Sequence, residues 1–91
     1  MTDVNEAGDV HREEFEIAVN TRPFNVEKSE VTFKEVVELA FPGGTSDPQH
    51  MFRVDFEDAA SHPQSGSLAE SEHVEVKHKG TEFSVFRSVR S

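Results

Sequence analysis

Side chains able to do chemistry are plentiful in this 91-residue chain, but their spacing does not bring them to one task. Five histidines, His11, His50, His62, His73 and His78, fall on a terminal segment, in loops and at strand ends. None has the spacing that gathers three or four ligands around a metal, so solvated histidines are the expectation. Serine, histidine and aspartate are all present, yet nothing resembles a nucleophile elbow, and so small a domain lacks a pocket to hold a substrate. Asp55, Glu57 and Asp58 are the closest approach to an acid and base pair. Asp55 and Glu57 stand two apart, which puts both on the outer face of a strand, where solvated carboxylates are commonplace. There is no cysteine, which removes a thiol nucleophile, a zinc knuckle and a disulfide together, and suits a reducing cytosol. The sequence therefore predicts no catalytic residue, no metal and no cofactor. What remains is the end of the chain, Phe86-Arg87-Ser88-Val89-Arg90-Ser91.

The elements that must position that end begin with one clearly marked helix, VTFKEVVELAFPGG from Val31 to Gly44. Thr32 is placed to cap it, and Glu35 three residues later can reach back to the cap amide. Val31 and Val36 occupy the positions of a hydrophobic staple. Pro42 cannot continue a helix, and Gly43 or Gly44 can adopt the left-handed conformation that closes one. The helix is expected over about residues 32–41.

Before it, Phe15, Ile17 and Val19 alternate with polar or small residues, the period of a half-buried strand. Asn20-Thr21-Arg22-Pro23 turns the chain, and Phe24 and Val26 point a second strand inward. After the helix, Phe52, Val54 and Phe56 alternate with Arg53, Asp55 and Glu57 in a third strand. Asp58 to Ser71 holds a single large apolar residue, Leu68, and is expected to be a long loop anchored by it. Val74 and Val76, a His78-Lys79-Gly80-Thr81 turn, then Phe83 and Val85 suggest a closing hairpin. Phe86 falls out of step, so either a bulge returns it to the core or it is exposed.

Length allows one domain with one core, to which Phe33, Val37 and Leu39 also contribute. Residues 1–12 have no period and are expected to be a disordered acidic N-terminal tail, 13–87 the folded domain, and 88–91 a flexible C-terminal tail. Eighteen acidic against nine basic residues give a formal net charge of −9, which repels phosphate backbones and argues against nucleic-acid binding. No apolar run approaches a membrane span or a signal peptide. A soluble, cytoplasmic protein is expected.

Two strands, one helix and further strands admit few assemblies. A ferredoxin-like arrangement needs a second helix, and Asp58 to Ser71, with Pro63, Gly66 and several serines, is a poor candidate. The prediction is an α+β fold, a β-grasp with a mixed sheet of four to five strands on one helix. Its first and last strands run parallel at the sheet centre, with right-handed crossovers, and the residues after about Phe86 project as a free tail.

Four stretches, FEIAVNTRPFNV, VTFKEVVELAFPG, MFRVDFEDA and GSLAESEHVEVKHKGTEFSVFRSVRS, resemble bacterial ubiquitin-like proteins of the multiubiquitin domain family. The resemblance covers about four fifths of the chain. It implies a ubiquitin-like modifier rather than an enzyme. Its partners would be an activating enzyme, a conjugating enzyme and a deconjugating protease, in systems associated with bacterial defence. The conjugation tail would be Ser88, Val89, Arg90 and Ser91, with Phe86 and Arg87 as partner contacts. Such a modifier has its terminal carboxylate adenylated, which favours a slender tail. This chain departs from a Gly-Gly ending, since its last glycine is Gly80. Activation at Ser91, prior trimming, and non-covalent binding all stay open. The alternative function is a non-conjugated β-grasp interaction module or adaptor. An acidic nucleic-acid mimic, sensitive to salt, is a third class.

Overall fold

A computed structural model describes residues 14–90. The expected tail at residues 1–12 lies outside the described residues, as does Ser91. The strands are β1 (Phe15–Val19), β2 (Arg22–Val26), β3 (Glu30–Thr32), β4 (His50–Glu57), β5 (Gly66–Leu68), β6 (His73–Glu75) and β7 (Lys79–Val89). The helix α1 (Phe33–Ala40) stands between β3 and β4, followed by a short 3-10 turn at Gly44–Ser46. Five strands form a mixed sheet in the order β2-β1-β7-β4-β5, while β3 and β6 pair separately. β1 and β7 run parallel at the centre, and the other pairs are antiparallel. This is the expected ubiquitin-like β-grasp.

The helix begins as its residues dictate. Thr32 Oγ1 accepts from the Glu35 amide at 3.2 Å, and the Thr32 amide donates to Glu35 Oε1 at 2.9 Å, completing the capping box. Val31 and Val36, the staple pair, are both buried. Beyond the Phe41 cap, Gly43 takes a φ of 84°, so the chain turns away without the clash a side chain would meet there. Glu38 holds that turn by accepting from the amides of Gly43 at 2.8 Å and Thr45 at 2.9 Å and from the Thr45 hydroxyl.

One core joins helix and sheet. Phe15, Ile17 and Val19 of β1, Val54 and Phe56 of β4, and Phe83 and Val85 of β7 are buried against Phe33, Val36 and Val37. Leu68 is buried, as its position in a polar stretch suggested, and Ala59 joins it unannounced. Phe24, Val26, Leu39 and Phe52 pack against this cluster half-buried. The buried hydroxyl of Thr81 donates to the Asp58 carbonyl at 2.8 Å and accepts from the Lys77 amide at 3.0 Å. That single side chain ties the loop after β4 to the approach of β7.

Three expectations need correction. Val74 and Val76 are buried, but they do not pair with Phe83 and Val85. β6 instead pairs with β3, matching Glu30 to Glu75, Val31 to Val74 and Thr32 to His73. The stretch from Asp58 to Ser71 is not wholly loop, since Gly66–Leu68 adds a strand to the edge of β4. Finally, residues 88–91 do not begin as a free tail. Ser88 and Val89 continue β7 opposite Met51 and His50, and the Arg90 amide donates to the Gln49 carbonyl at 2.8 Å. The backbone ladder with β4 carries the strand past its last buried side chain, Val85.

Candidate functional site

The chain end named by sequence reasoning is the far end of the central strand, and its geometry follows from the strand period. Thr81, Phe83 and Val85 point into the core, so Glu82, Ser84 and Phe86 point to the open face of the sheet. No bulge intervenes at Phe86, because the β4–β7 register runs unbroken from Glu82 to Val89. The irregularity in β7 lies earlier, where Glu16 meets Lys79 and Ile17 meets Thr81, leaving Gly80, at φ 106°, as the extra residue.

Phe86 is 49% exposed, Met51 49% and Val89 70%. These are the exposed large hydrophobic residues among the described ones: Phe86, opposite Arg53, and Met51, opposite Ser88, share the open face of the sheet, while Val89, opposite His50, lies on the other face with Val85 and Arg87. The Arg53 guanidinium lies 4.5 Å from the centre of the Phe86 ring, and Arg87 lies 4.8 Å from that of Phe41. The Phe41 ring in turn meets Phe52 at 5.7 Å. An apolar, arginine-bearing end therefore sits on a chain whose net charge is −9.

Beside it, Asp47 accepts from the Gln49 amide at 2.8 Å and from His50 Nδ1 at 2.5 Å. The Gln49 amide first, and His50 second, hold the Asp47 carboxyl below its usual range. This clamp fixes the loop that delivers Gln49 to Arg90.

The other predicted candidates do not converge. Asp55 accepts from the Ser67 hydroxyl at 2.8 Å and pairs with Arg53 at 3.3 Å, while Glu57 and Asp58 face solvent. His73 meets Glu30 at 3.5 Å, His78 stacks on Phe15 at 4.7 Å, and His11 lies outside the described residues. No set of three metal-ligating side chains comes together among the described residues. Nor is any helix among them long and apolar enough to cross a membrane. A cleft of about 720 Å³ lies between β2, β3 and α1, lined by Val26, Val31 and Leu39. Its rim carries the Lys28–Glu35 ion pair at 2.8 Å, with Lys34 and Glu38 beside it.

Sequence reasoning missed the exposed Met51, whose signal was its odd position in a strand with Phe52 and Val54 inward. Glu75 belongs to β6, outside the main sheet.

Comparison with known proteins returns one finding. A family model described as Multiubiquitin matches residues 15–88, from the first residue of β1 to the penultimate residue of β7. No curated protein and no solved structure matches the chain. With fold and family model in agreement over most of its length, the chain belongs to the multiubiquitin family of ubiquitin-like proteins.

Proposed function

We propose that the protein is a modifier, joined through its C-terminus to target proteins in the bacterial cytoplasm and serving antiviral defence. The observation that supports this reading is the family match ending at residue 88, with Val89 and Arg90 beyond it at an exposed strand end. An activating enzyme would bring the terminal carboxylate onto the α-phosphorus of ATP, releasing pyrophosphate. A nucleophile of a carrier enzyme would then attack the acyl carbon and release AMP, and in the final transfer a nucleophile of the target would take the acyl group and release the carrier. A deconjugating protease would reverse the last bond with water.

The domain's own side chains bind and orient in this scheme. Phe86, Met51 and the arginines Arg53, Arg87 and Arg90 form the docking end, and Ser88 to Ser91 thread into the activating site. Threading requires Ser88 and Arg90 to leave β4. Each net hydrogen bond surrendered there costs on the order of 1 kcal/mol, within reach of ordinary binding energy.

The test is pyrophosphate exchange into ATP by an activating-enzyme homologue encoded beside this chain. Exchange that depends on the chain, and stops when the Ser91 carboxyl is converted to an amide, supports direct activation. Lack of chain-dependent exchange, with that enzyme active on its own modifier, leaves the non-conjugated interaction module as the account.

A further inference from the structure

The β4–β7 ladder does not fade at its end; one side chain stops it. Phe83 and Val85 turn their backbone groups toward β1. The Phe83 carbonyl accepts from the Asn20 amide at 2.9 Å, and the Val85 amide donates to Asn20 Oδ1 at 2.9 Å. Backbone groups alternate in direction along a strand, so Ser84, Phe86 and Ser88 face β4, opposite Asp55, Arg53 and Met51. Pairs of this kind in an antiparallel ladder exchange two hydrogen bonds, amide to carbonyl each way. Arg90 and Gln49 are the next such pair.

There the exchange is half made. The Arg90 amide donates to the Gln49 carbonyl at 2.8 Å, but the Gln49 amide donates to Asp47 Oδ1, also at 2.8 Å, in place of the Arg90 carbonyl. The competition favours Asp47 on two counts. Its carboxylate is two residues from the donor, the natural reach of an aspartate side-chain turn, so capture orders little chain. A hydrogen bond to an ionised acceptor is also roughly twice as strong as one to a neutral carbonyl. The second oxygen of Asp47 meets His50 Nδ1 at 2.5 Å, which keeps the carboxylate aimed at Gln49.

Asp47 also orders the loop that presents Gln49, and that effect alone would strengthen the hold on Arg90. Loop order, however, has other sources. The Asp47 amide donates to the Gly44 carbonyl at 3.1 Å, Glu38 binds the amides of Gly43 and Thr45, and β4 begins at His50, the residue after Gln49. The loop keeps these anchors without the Asp47 carboxylate. The Gln49 amide, by contrast, is held from Arg90 by that carboxylate alone among the described residues. Capture of the amide is therefore the larger effect.

Resting on the modifier reading above, we infer that Asp47 is a positioning residue for activation. By taking the Gln49 amide it leaves Arg90 one bond to β4 rather than two, so the residues leading to the C-terminus come away from the sheet more easily. One net backbone hydrogen bond shifts the opening equilibrium of that last pair by about fivefold.

The test uses the isotope-labelled full chain and begins with NMR couplings across hydrogen bonds, which report the oxygen each amide donates to. Expected in the parent is a coupling from the Gln49 amide to the Asp47 carboxyl carbon. A coupling to the Arg90 carbonyl carbon instead overturns the inference, and this result needs no variant. In Asp47→Ala the Gln49 amide should couple to the Arg90 carbonyl carbon, and the Ser88 and Arg90 amides should exchange with solvent about fivefold more slowly than in the parent. Faster exchange, expected if Asp47 only stiffens its loop, overturns the inference. Asp47 is no part of the core, and unchanged core amide shifts verify that the variant folds. In pyrophosphate exchange by the neighbouring activating-enzyme homologue, kcat/KM for the variant should fall about fivefold with kcat unchanged, because peeling precedes the chemical step. Unchanged kcat/KM overturns the role in activation. A parent chain that is activated while the variant's end exchanges faster defeats this inference alone. One that shows the captured amide, and slower exchange in Asp47→Ala, yet is never activated defeats the modifier reading alone.

Discussion

The amide of Arg90 donates to the carbonyl of Gln49 at 2.8 Å, so the sheet continues to the last described residue. For the proposed modifier, Ser88 and Arg90, which lead to the reactive end, must first be peeled from β4. The pairing at that point is one-sided: β4 holds Ser88 and Arg90, while β1 has already turned off at Asn20.

One-sided pairing predicts a gradient of protection. Amide hydrogen exchange should be slowest at Phe83 and Val85, buried between β1 and β4, and fastest at Arg87, Val89 and Arg90. Exposed strand ends open locally without global unfolding, so the terminal amides should exchange by local opening. Protection at Arg90 equal to that at Val85 would show that the end does not peel.

Thr81 predicts a loss of two hydrogen bonds from a single hydroxyl. Thr81→Val keeps the shape but removes two part-buried hydrogen bonds, to the Asp58 carbonyl and from the Lys77 amide, at about 1 kcal/mol for each. Denaturant unfolding should show the midpoint fall with unchanged slope, and Thr81→Ser should recover most of it.

The capping box predicts a smaller effect. Thr32→Ala removes the acceptor for the Glu35 amide and should cost about 1 kcal/mol. In a domain of this size that corresponds to a fall in Tm of roughly 4–8 °C. Thr32→Ser should leave Tm within about a degree or two of the parent, because serine caps as well as threonine.

Glu38 predicts an acid-sensitive turn. The Thr45 hydroxyl first, then the Gly43 and Thr45 amides, lower its carboxyl from 4.5 to about 2. A lowered folded value contributes stability that is fully present above the ordinary value, here 4.5, and is lost as pH falls toward 2. The amides of Gly43 and Thr45 should shift over that window while core amides hold. In Glu38→Gln the same shifts should not titrate.

These residues also show what the sequence made legible. Thr32, Glu35, Pro42 and Gly43 marked both helix ends because caps are chemical signals carried by residue type. The alternation of Phe15, Ile17 and Val19, and again of Val54 and Phe56, marked strands with one buried face. β3 and β5 were illegible because three residues are too few to display a period. The partner of β6 was hidden with β3, since Glu30-Val31-Thr32 runs directly into the helix cap. The chain end misled for a related reason. Arg87, Ser88 and Arg90 show no apolar alternation, and what holds them is backbone pairing to β4, which side chains do not announce. Asn20 did mark a turn, but its second task, completing the edge of β7 at Val85, depends on contacts across 65 positions of sequence.

The central claim is that the C-terminus becomes covalently joined to other proteins, and tail-peptide mass spectrometry tests it most directly. An N-terminally tagged chain would be co-expressed with its genomic neighbours, intact and without Val89 to Ser91, and resolved on denaturing gels. The account predicts higher-mass bands from the intact chain only, yielding peptides in which its last residue is bonded to another protein. If the neighbouring enzymes are active and only free chain ending at Ser91 is recovered, the modifier account is contradicted.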